Sequence, residues 1–271
     1  MAWYIRLEEV EMKAIFFDLD DTLLWDEKSV KKAFELTCQY AASKYDLDVE
    51  ALEQAVRNSA QELYSRYDTF NFTKMIGINP FEGLWGQFND PGPQFNKMKE
   101  IVPTYRQEAW TQGLKKLGID DPLLGKELGE RFPEERKKVP FLFDDALSVL
   151  EELQGKYKLL MLTNGSPELQ NTKLTITPEL TPYFDKIIIS GEFGKGKPDR
   201  EIFDYALKVM NVRANDTLMV GDNLNTDILG ANETGITSVW LNRFNKDKSH
   251  IQPNYEIKEL SELFPLLEKL D

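Results

Sequence analysis

Short apolar runs that end in polar residues recur along the chain. The first covers Lys13–Phe17 and stops at an acidic segment, and similar runs cover Lys158–Thr163, Lys186–Ser190, Thr217–Val220 and Ser238–Leu241. Continuous apolar runs of this length are typical of strands that are buried on both faces of a sheet. The pattern therefore predicts a set of buried strands, each followed by a polar loop.

Apolar residues between the later strands recur at helical spacing, as in Ile202, Ala206 and Met210. The final segment, Tyr255–Leu270, has the pattern of a short strand and a closing helix. Strands that alternate with helices favour a parallel sheet covered by helices on both faces. Ligands bind such α/β folds at the carboxyl ends of the strands, so we expect functional residues in the loops that follow the strands.

The chain between the first and second strands breaks this alternation. Its apolar residues follow helical spacing over Val30–Tyr45, Asn96–Leu117 and Leu123–Phe132, and the Gly- and Pro-rich segment Gly77–Pro93 is predicted to be largely loop. More than a hundred residues without a clear strand predict an inserted helical domain. The predicted division is a core domain of residues 12–25 and 137–271, a helical insertion of residues 26–136, and an N-terminal extension of residues 1–11.

Composition narrows the choice of partners. The 271 residues are 41% hydrophobic, and the formal net charge is −13. A chain this acidic lacks the basic footprint that nucleic acids and anionic membranes require. The single cysteine, Cys38, falls in an apolar helical row and is predicted to be buried there. The apolar runs fall far short of the ~20 residues that span a bilayer, and no signal-peptide core is evident, so we expect a cytoplasmic protein.

Two groups of acids follow predicted strands. Asp18 and Asp20 come directly after the first strand, and residues two apart in an extended segment point the same way. Asp222 follows the strand Thr217–Val220, and Asp227 is expected in the first turn of the next helix, where an acid also has a purely structural explanation. Carboxylates that converge on one sheet edge repel each other, so they either share a cation or one of them takes a proton and the two form an acid/base pair. Oxygen ligands alone point to Mg²⁺.

Two further polar groups follow the other strands. Thr163 and Asn164 precede a glycine at a strand-to-helix turn, where side chains and backbone N–H groups can bind a phosphate. The same residues also fit an ordinary capped turn. Lys197 precedes a proline at the start of the helix Glu201–Met210, which would hold it near the sheet edge. A lysine there can neutralise a phosphoryl group and the aspartates, although a solvent-exposed lysine is the alternative.

The order and placement of these groups carry a family resemblance. The segments FFDLDDTLL, LTNGS, GKGKP and VGDNLNTD look like the four sequence motifs of the haloacid dehalogenase-like hydrolases. The resemblance covers essentially all of the core domain, and the helical insertion stands where that family has a helical cap. It implies an α/β fold with a Rossmann-like parallel-sheet core domain and an inserted all-helical cap domain.

The resemblance also implies a role for each residue. Asp18 would attack phosphorus and form an aspartyl-phosphate, and Asp20 would protonate the leaving oxygen and later activate water. Thr163 and Asn164 would hold the phosphoryl oxygens, and Lys197 would balance the negative charge. Mg²⁺ would be held by Asp18, by Asp222 and by the backbone carbonyl of Asp20. Asn223 and Asp227 would support these ligands.

The sequence thus predicts a Mg²⁺-dependent phosphomonoester hydrolase that acts on a small phosphorylated metabolite, such as a nucleotide or a sugar phosphate. The acid at Asp20 disfavours the dehalogenase and phosphonate-cleaving branches, which lack it. A sugar phosphomutase and a non-catalytic binding protein on the same scaffold stay as alternatives. The aromatic residues of the insertion are expected to form mainly its own core, although some in Gly77–Pro93 could stack on a substrate.

Overall fold

The computed structural model describes residues 12–248 and 250–270. The predicted extension of residues 1–11 lies outside the described residues. Six strands form one parallel sheet in the order β3-β2-β1-β4-β5-β6. The strands are β1 Ala14–Phe17, β2 Lys158–Thr163, β3 Lys186–Ile189, β4 Thr217–Gly221, β5 Thr237–Leu241 and β6 Tyr255–Ile257.

Every strand predicted from an apolar run is present, and so are the short strand and helix expected in Tyr255–Leu270. β2 and β3 follow β1 on one side of the sheet, and β4, β5 and β6 lie on the other side of β1. The loops after β1 and β4 therefore diverge at the point where α/β sheets form a crevice. Asp18 and Asp222 follow these two strands, so the topology alone brings both acids to the same crevice.

The chain between β1 and β2 is helical apart from its connections, as predicted. The helices that follow β1 are α1 Asp26–Ala42, α2 Val49–Tyr64, α3 Phe70–Ile76, α4 Pro80–Gly83, α5 Pro93–Lys116 and α6 Pro122–Lys138. The helices α1 to α6 and the loops that connect them are called the insertion below. The Gly- and Pro-rich segment Gly77–Pro93 is mostly loop, but it contains the short helix α4, because the Asn79 side chain caps Pro80–Gly83.

The remaining helices cover the sheet. They are α7 Ala146–Leu153, α8 Pro167–Ile176, α9 Ser190–Phe193, α10 Arg200–Met210, α11 Leu229–Thr234 and α12 Leu263–Leu270. Asp227 was expected in an ordinary first helical turn. It lies instead in a π-helical turn, Leu224–Ile228, that leads into α11.

The hydrophobic core has separate parts in the sheet and in the insertion. Phe17 packs with the residues on one face of the sheet, and Phe16 packs with those on the other. The insertion has its own core, in which the Phe34 ring lies 4.6 Å from that of Phe132 and 5.7 Å from that of Trp110. Most of its aromatic residues and Cys38 are packed in this core, as the sequence predicted. No helix in the described part of the chain is long and apolar enough to cross a bilayer.

Candidate active site

A buried lysine joins two aspartates at the carboxyl edge of the sheet. The Lys197 ammonium lies 2.6 Å from Asp18 Oδ1 and 2.6 Å from Asp227 Oδ1. Burial acts to lower the pKa of Lys197, but the two carboxylates outweigh it and raise this pKa. The backbone N–H of Asp18 donates to the carbonyl of Val220 at 3.0 Å, which holds the end of β1 against β4. Lys197 is therefore part of the site rather than of the surface.

Asp222 completes the acidic cluster. Its backbone N–H donates to the Thr22 hydroxyl at 3.2 Å, and its carbonyl accepts from the Trp240 indole at 2.9 Å. Its carboxylate lies 2.8 Å from the ammonium of Lys246, which is half-exposed. Lys246 did not stand out in the sequence, because it falls in a polar loop with no motif around it. Only the folding of that loop over β4 and β5 brings it to the site.

Carboxylate oxygens of Asp18, Asp222 and Asp227 lie within 4.8 Å of one another. Burial raises the pKa of Asp18 to about 6, with Lys197 opposing the shift, and burial also raises the pKa of Asp222 and of Asp227. Lys197 and the half-exposed Lys246 do not balance three carboxylates, and the remaining negative charge favours a bound cation. A hard divalent cation such as Mg²⁺ takes oxygen ligands, and this donor set fits it.

Thr163 and Asn164 line the same crevice. The Asn164 amide oxygen accepts from the backbone N–H of Lys197 at 2.8 Å, and its nitrogen donates to the Lys197 carbonyl at 2.9 Å. The Thr163 hydroxyl accepts from the Gln170 amide at 2.6 Å. The structure thus uses the Asn164 side chain to hold the Lys197 backbone. Phosphate binding by Thr163 and Asn164 stays a prediction.

Asp20 is held by two residues that sequence reasoning missed. Its Oδ2 accepts from the Gln170 amide at 3.0 Å and from the Lys173 ammonium at 2.8 Å. Both residues lie on one face of α8, three positions apart, and both are buried. Asp20 Oδ1 is buried and has no hydrogen-bond partner among the described residues. The signal in the sequence was a polar pair at helical spacing after the LTNGS segment, which reads equally well as an exposed helix face.

The crevice is a cleft of about 400 Å³ between the sheet edge and the insertion. The sheet contributes the aspartates, Thr163, Asn164 and Lys197, and the insertion contributes Gly77, Asn79 and Glu82. Gly77 has a φ of +81°, and a Cβ there would approach the Asn164 side chain to 2.6 Å. The insertion therefore packs directly over the predicted phosphate site. Asn223 also lines the cleft, and its backbone N–H donates to Asp227 at 3.1 Å.

A parallel sheet with a strand-end aspartate, a buried lysine and a carboxylate cluster under a helical insertion defines a class of hydrolases. The profile of the haloacid dehalogenase-like hydrolases matches residues 12–235. The chain belongs to this family, and the resemblance seen in its motifs is confirmed.

Relatives of known activity cover nearly the whole chain. The phosphoserine phosphatase of Thermus thermophilus is 31% identical over 93% of this chain and 98% of its own. The glyceraldehyde 3-phosphate phosphatase of Methanocaldococcus jannaschii is 34% identical over 96% and 98%, respectively. The N-acylneuraminate-9-phosphatase of Mus musculus is 27% identical over 96% and 95%. The chain is accordingly a phosphatase, a hydrolase of phosphoric monoesters, as the sequence predicted.

The fold also matches a solved relative. The structure of the HAD-hydrolase YfnB from Bacillus subtilis, bound to magnesium, has a TM-score of 0.67. It is 24% identical and covers 95% of this chain and 99% of its own. At this level of identity the similarity supports the fold, and the predicted α/β class is confirmed.

Proposed function

We propose that the protein is a Mg²⁺-dependent phosphatase of small phosphorylated metabolites that works through an aspartyl-phosphate on Asp18. The observation that carries the proposal is the placement of Asp18. Its Oδ1 is held by Lys197 at 2.6 Å, whereas its Oδ2 receives the long 3.4 Å contact from the Thr22 hydroxyl. One carboxylate oxygen is therefore fixed, and the other is available to a phosphorus atom in the cleft.

Mg²⁺ would be held by Asp18, Asp222 and the backbone carbonyl of Asp20, with Asp227 and Asn223 in support. When bound, the ion supplies positive charge beside the phosphoryl oxygens, where charge builds up during phosphoryl transfer. Lys197 supplies a second positive charge beside Asp18. This charge makes an acidic protein compatible with an anionic substrate.

The residues divide the reaction into two steps. In the first, Asp18 Oδ2 forms a bond to phosphorus, the ester P–O bond breaks, and Asp20 gives its proton to the departing oxygen. In the second, Asp20 takes a proton from water, the water oxygen bonds to phosphorus, and the bond between phosphorus and Asp18 breaks. Inorganic phosphate leaves, and both aspartates return to their starting states.

The leaving group needs space beyond the phosphate site. A second cavity of about 660 Å³ adjoins the catalytic cleft and shares Asp21 and Asn79 with it. Its walls include Arg57 and Phe81 from the insertion. The Arg57 guanidinium stacks on the Phe81 ring at 4.7 Å and donates to Glu53 at 2.9 Å. A cavity of this size with charged walls suits a small polar metabolite, in line with the names of the phosphatase relatives.

The test is phosphate release from a panel of small phosphomonoesters, with Mg²⁺ and with EDTA. The proposal expects release that needs Mg²⁺ and falls by roughly 10³-fold or more in Asp18→Asn, because the variant lacks an anionic nucleophile. Acid quenching should also trap a phosphorylated Asp18 peptide, detected by mass spectrometry. An isomerised sugar phosphate without phosphate release would instead favour a mutase. Substrate binding without any turnover would favour a binding protein.

A further inference from the structure

A second buried lysine, Lys173 of α8, connects three acidic residues from different parts of the chain. Its ammonium lies 2.8 Å from Asp20 Oδ2, 3.0 Å from Glu82 Oε1 and 3.7 Å from Asp26 Oδ1. The Lys173 side chain is 1% exposed. Asp20 belongs to the catalytic loop, Glu82 to α4 of the insertion and Asp26 to the start of α1. One ammonium therefore joins the proposed general acid to the insertion.

Lys173 and Gln170 hold Asp20 in a particular way. Both donate to Asp20 Oδ2, and Oδ1 has no hydrogen-bond partner in the described part of the chain. Asp20 lines the catalytic cleft. The helix thus fixes the carboxyl group through Oδ2 at the edge of the cleft, while Oδ1 is buried without a partner among the described residues and does not compete for this position. Such an arrangement suits a group that must meet a leaving oxygen at hydrogen-bond distance.

Glu82 is itself fixed within the insertion. Its Oε2 accepts from the backbone N–H of Asn79 at 2.9 Å, while its Oε1 contacts Lys173. The helix that carries it is anchored by the Tyr105 hydroxyl, which donates to the Pro80 carbonyl at 2.6 Å. Glu82 is 3% exposed. The position of the Lys173 ammonium consequently depends on where the insertion sits on the sheet domain.

The insertion is docked on the same helix by other carboxylate contacts. Asp90 accepts from the Ser166 hydroxyl at 2.6 Å and from the Glu168 backbone N–H at 2.7 Å, at the start of α8. Glu168 in turn accepts from the backbone N–H of Phe88 at 2.8 Å. These contacts place α8 and the insertion in one arrangement, in which Lys173 faces both Glu82 and Asp20.

We propose that Lys173 is a positioning residue for Asp20 and that Glu82 makes this position depend on the docked insertion. The inference rests on the proposed function, in which Asp20 protonates the leaving oxygen. Without Glu82, the Lys173 ammonium loses one of the partners that orient it, and the Asp20 carboxyl shifts in the cleft. A shift of about 1 Å in a catalytic group can slow a reaction by roughly 10²-fold.

A positioning role and a purely structural role predict different results. Loss of a purely structural salt bridge lowers the amount of folded enzyme, so it should lower the rate with every substrate by the same factor. Loss of a well-placed acid affects esters unequally, since an alkoxide leaving group needs a proton and a nitrophenolate leaves without one. The useful comparison is therefore the release of the leaving group from an alkyl phosphate and from p-nitrophenyl phosphate.

The experiment uses the full chain with Mg²⁺ and measures leaving-group release in a single turnover. This readout isolates the first step from hydrolysis of the phosphorylated enzyme. The variants are Lys173→Met, Glu82→Gln and their combination. Lys208→Met is the matched control, because Lys208 is exposed on α10 and outside the site. Thermal unfolding of each variant reports whether it is folded.

We expect Lys173→Met to slow the alkyl ester at least about ten-fold more than p-nitrophenyl phosphate. Glu82→Gln should shift the ratio in the same direction, and the double variant should be no slower than Lys173→Met. Equal losses on both esters would overturn the positioning role. Multiplying losses in the double variant would overturn the link through Glu82. If Lys173→Met does not fold, the ratio for Glu82→Gln decides alone. A wild-type protein inactive on both esters would refute the proposed function instead.

Discussion

The side chain of Asn164 and the backbone of Lys197 are joined by two reciprocal hydrogen bonds, of 2.8 and 2.9 Å. The pair connects the loop after β2 with the loop before α10, which are 33 residues apart in the chain. Lys197 projects from this fixed backbone to Asp18 and Asp227. The amide therefore sets the position of the lysine that holds the proposed nucleophile.

Asn164→Ala tests this relationship. The variant leaves the N–H and carbonyl of Lys197 without these partners, so we expect unfolding free energy to fall by about 1–3 kcal/mol. Turnover should fall with it because the Lys197 ammonium loses its fixed position. Urea denaturation and kcat measure the two effects. A raised KM with unchanged stability and kcat would show that Asn164 acts mainly by binding the phosphate group.

Removal of the Lys197 charge should lower the unfolding free energy more than Asn164→Ala does. Lys197→Met leaves the carboxylates of Asp18 and Asp227 buried together without their partner, and breaking a buried pair in this way typically costs about 3–5 kcal/mol. We expect that loss in urea denaturation of the metal-free protein at about neutral pH, together with loss of activity. Lys208→Met on the surface should change stability by less than about 0.5 kcal/mol. Similar stability of the two variants would contradict this electrostatic role.

The acidic cluster predicts how pH and Mg²⁺ act together on stability. Burial raises the pKa of Asp18 to about 6 in the folded protein, from 3.8 without that environment. Between these values the folded state binds more protons than the unfolded state, so the stability contributed by Asp18 falls as pH rises through this window. Mg²⁺ favours the ionised carboxylate and should offset the loss above the folded pKa.

The measurement is the thermal midpoint with and without Mg²⁺ at about pH 5 and about pH 7.5. Mg²⁺ should raise the midpoint clearly at the higher pH and little at the lower pH. Asp222→Asn should remove most of the increase, because it takes away a proposed ligand. The same Mg²⁺ effect at both pH values would contradict the assignment of the cation to these carboxylates.

Gly221 gives a steric test of the same cluster. A Cβ at this position would lie 2.3 Å from Asp227 Oδ2, so Gly221→Ala must displace the Asp227 carboxylate or the end of β4. We expect lower Mg²⁺ affinity and lower kcat, without direct change to any charged group. Titration of activity with Mg²⁺ measures both. Gly155→Ala is a control for backbone strain away from the cluster, since Gly155 has a φ of +80° and nothing in the described part of the chain lies within 4 Å of its Cβ position. An unchanged Mg²⁺ titration of Gly221→Ala would show that Asp227 does not influence the metal.

Arg57 tests the proposed leaving-group cavity. Arg57→Met keeps an apolar side chain against Phe81 but removes the guanidinium from the cavity wall. If Arg57 contacts the substrate, kcat/KM for the preferred metabolite should fall about ten-fold or more, as for a lost charged hydrogen bond. Arg66→Met, at an exposed position just after the end of α2, is the matched control. Equal kcat/KM in wild type and Arg57→Met would place the leaving group elsewhere.

Much of the fold was determined locally by the sequence. The apolar runs predicted β1 to β5 because a strand buried on both faces must be apolar along its length. The order of strands and helices then required a parallel sheet, and such a sheet brings the residues after its strands to one edge. Asp18, Lys197 and Asp222 were found in this way, since each follows or precedes an element that the pattern itself defined.

Only the tertiary structure decided which charged residues surround Asp20 and Asp222. Lys173, Glu82 and Lys246 are charged residues in segments that read equally well as solvated surface. They reach the site because α8, the insertion and the loop after β5 fold against the sheet edge from different directions. A charged side chain is buried only where a partner compensates its desolvation. That partner is distant in sequence, so local pattern determined the scaffold and long-range packing determined the charges around it.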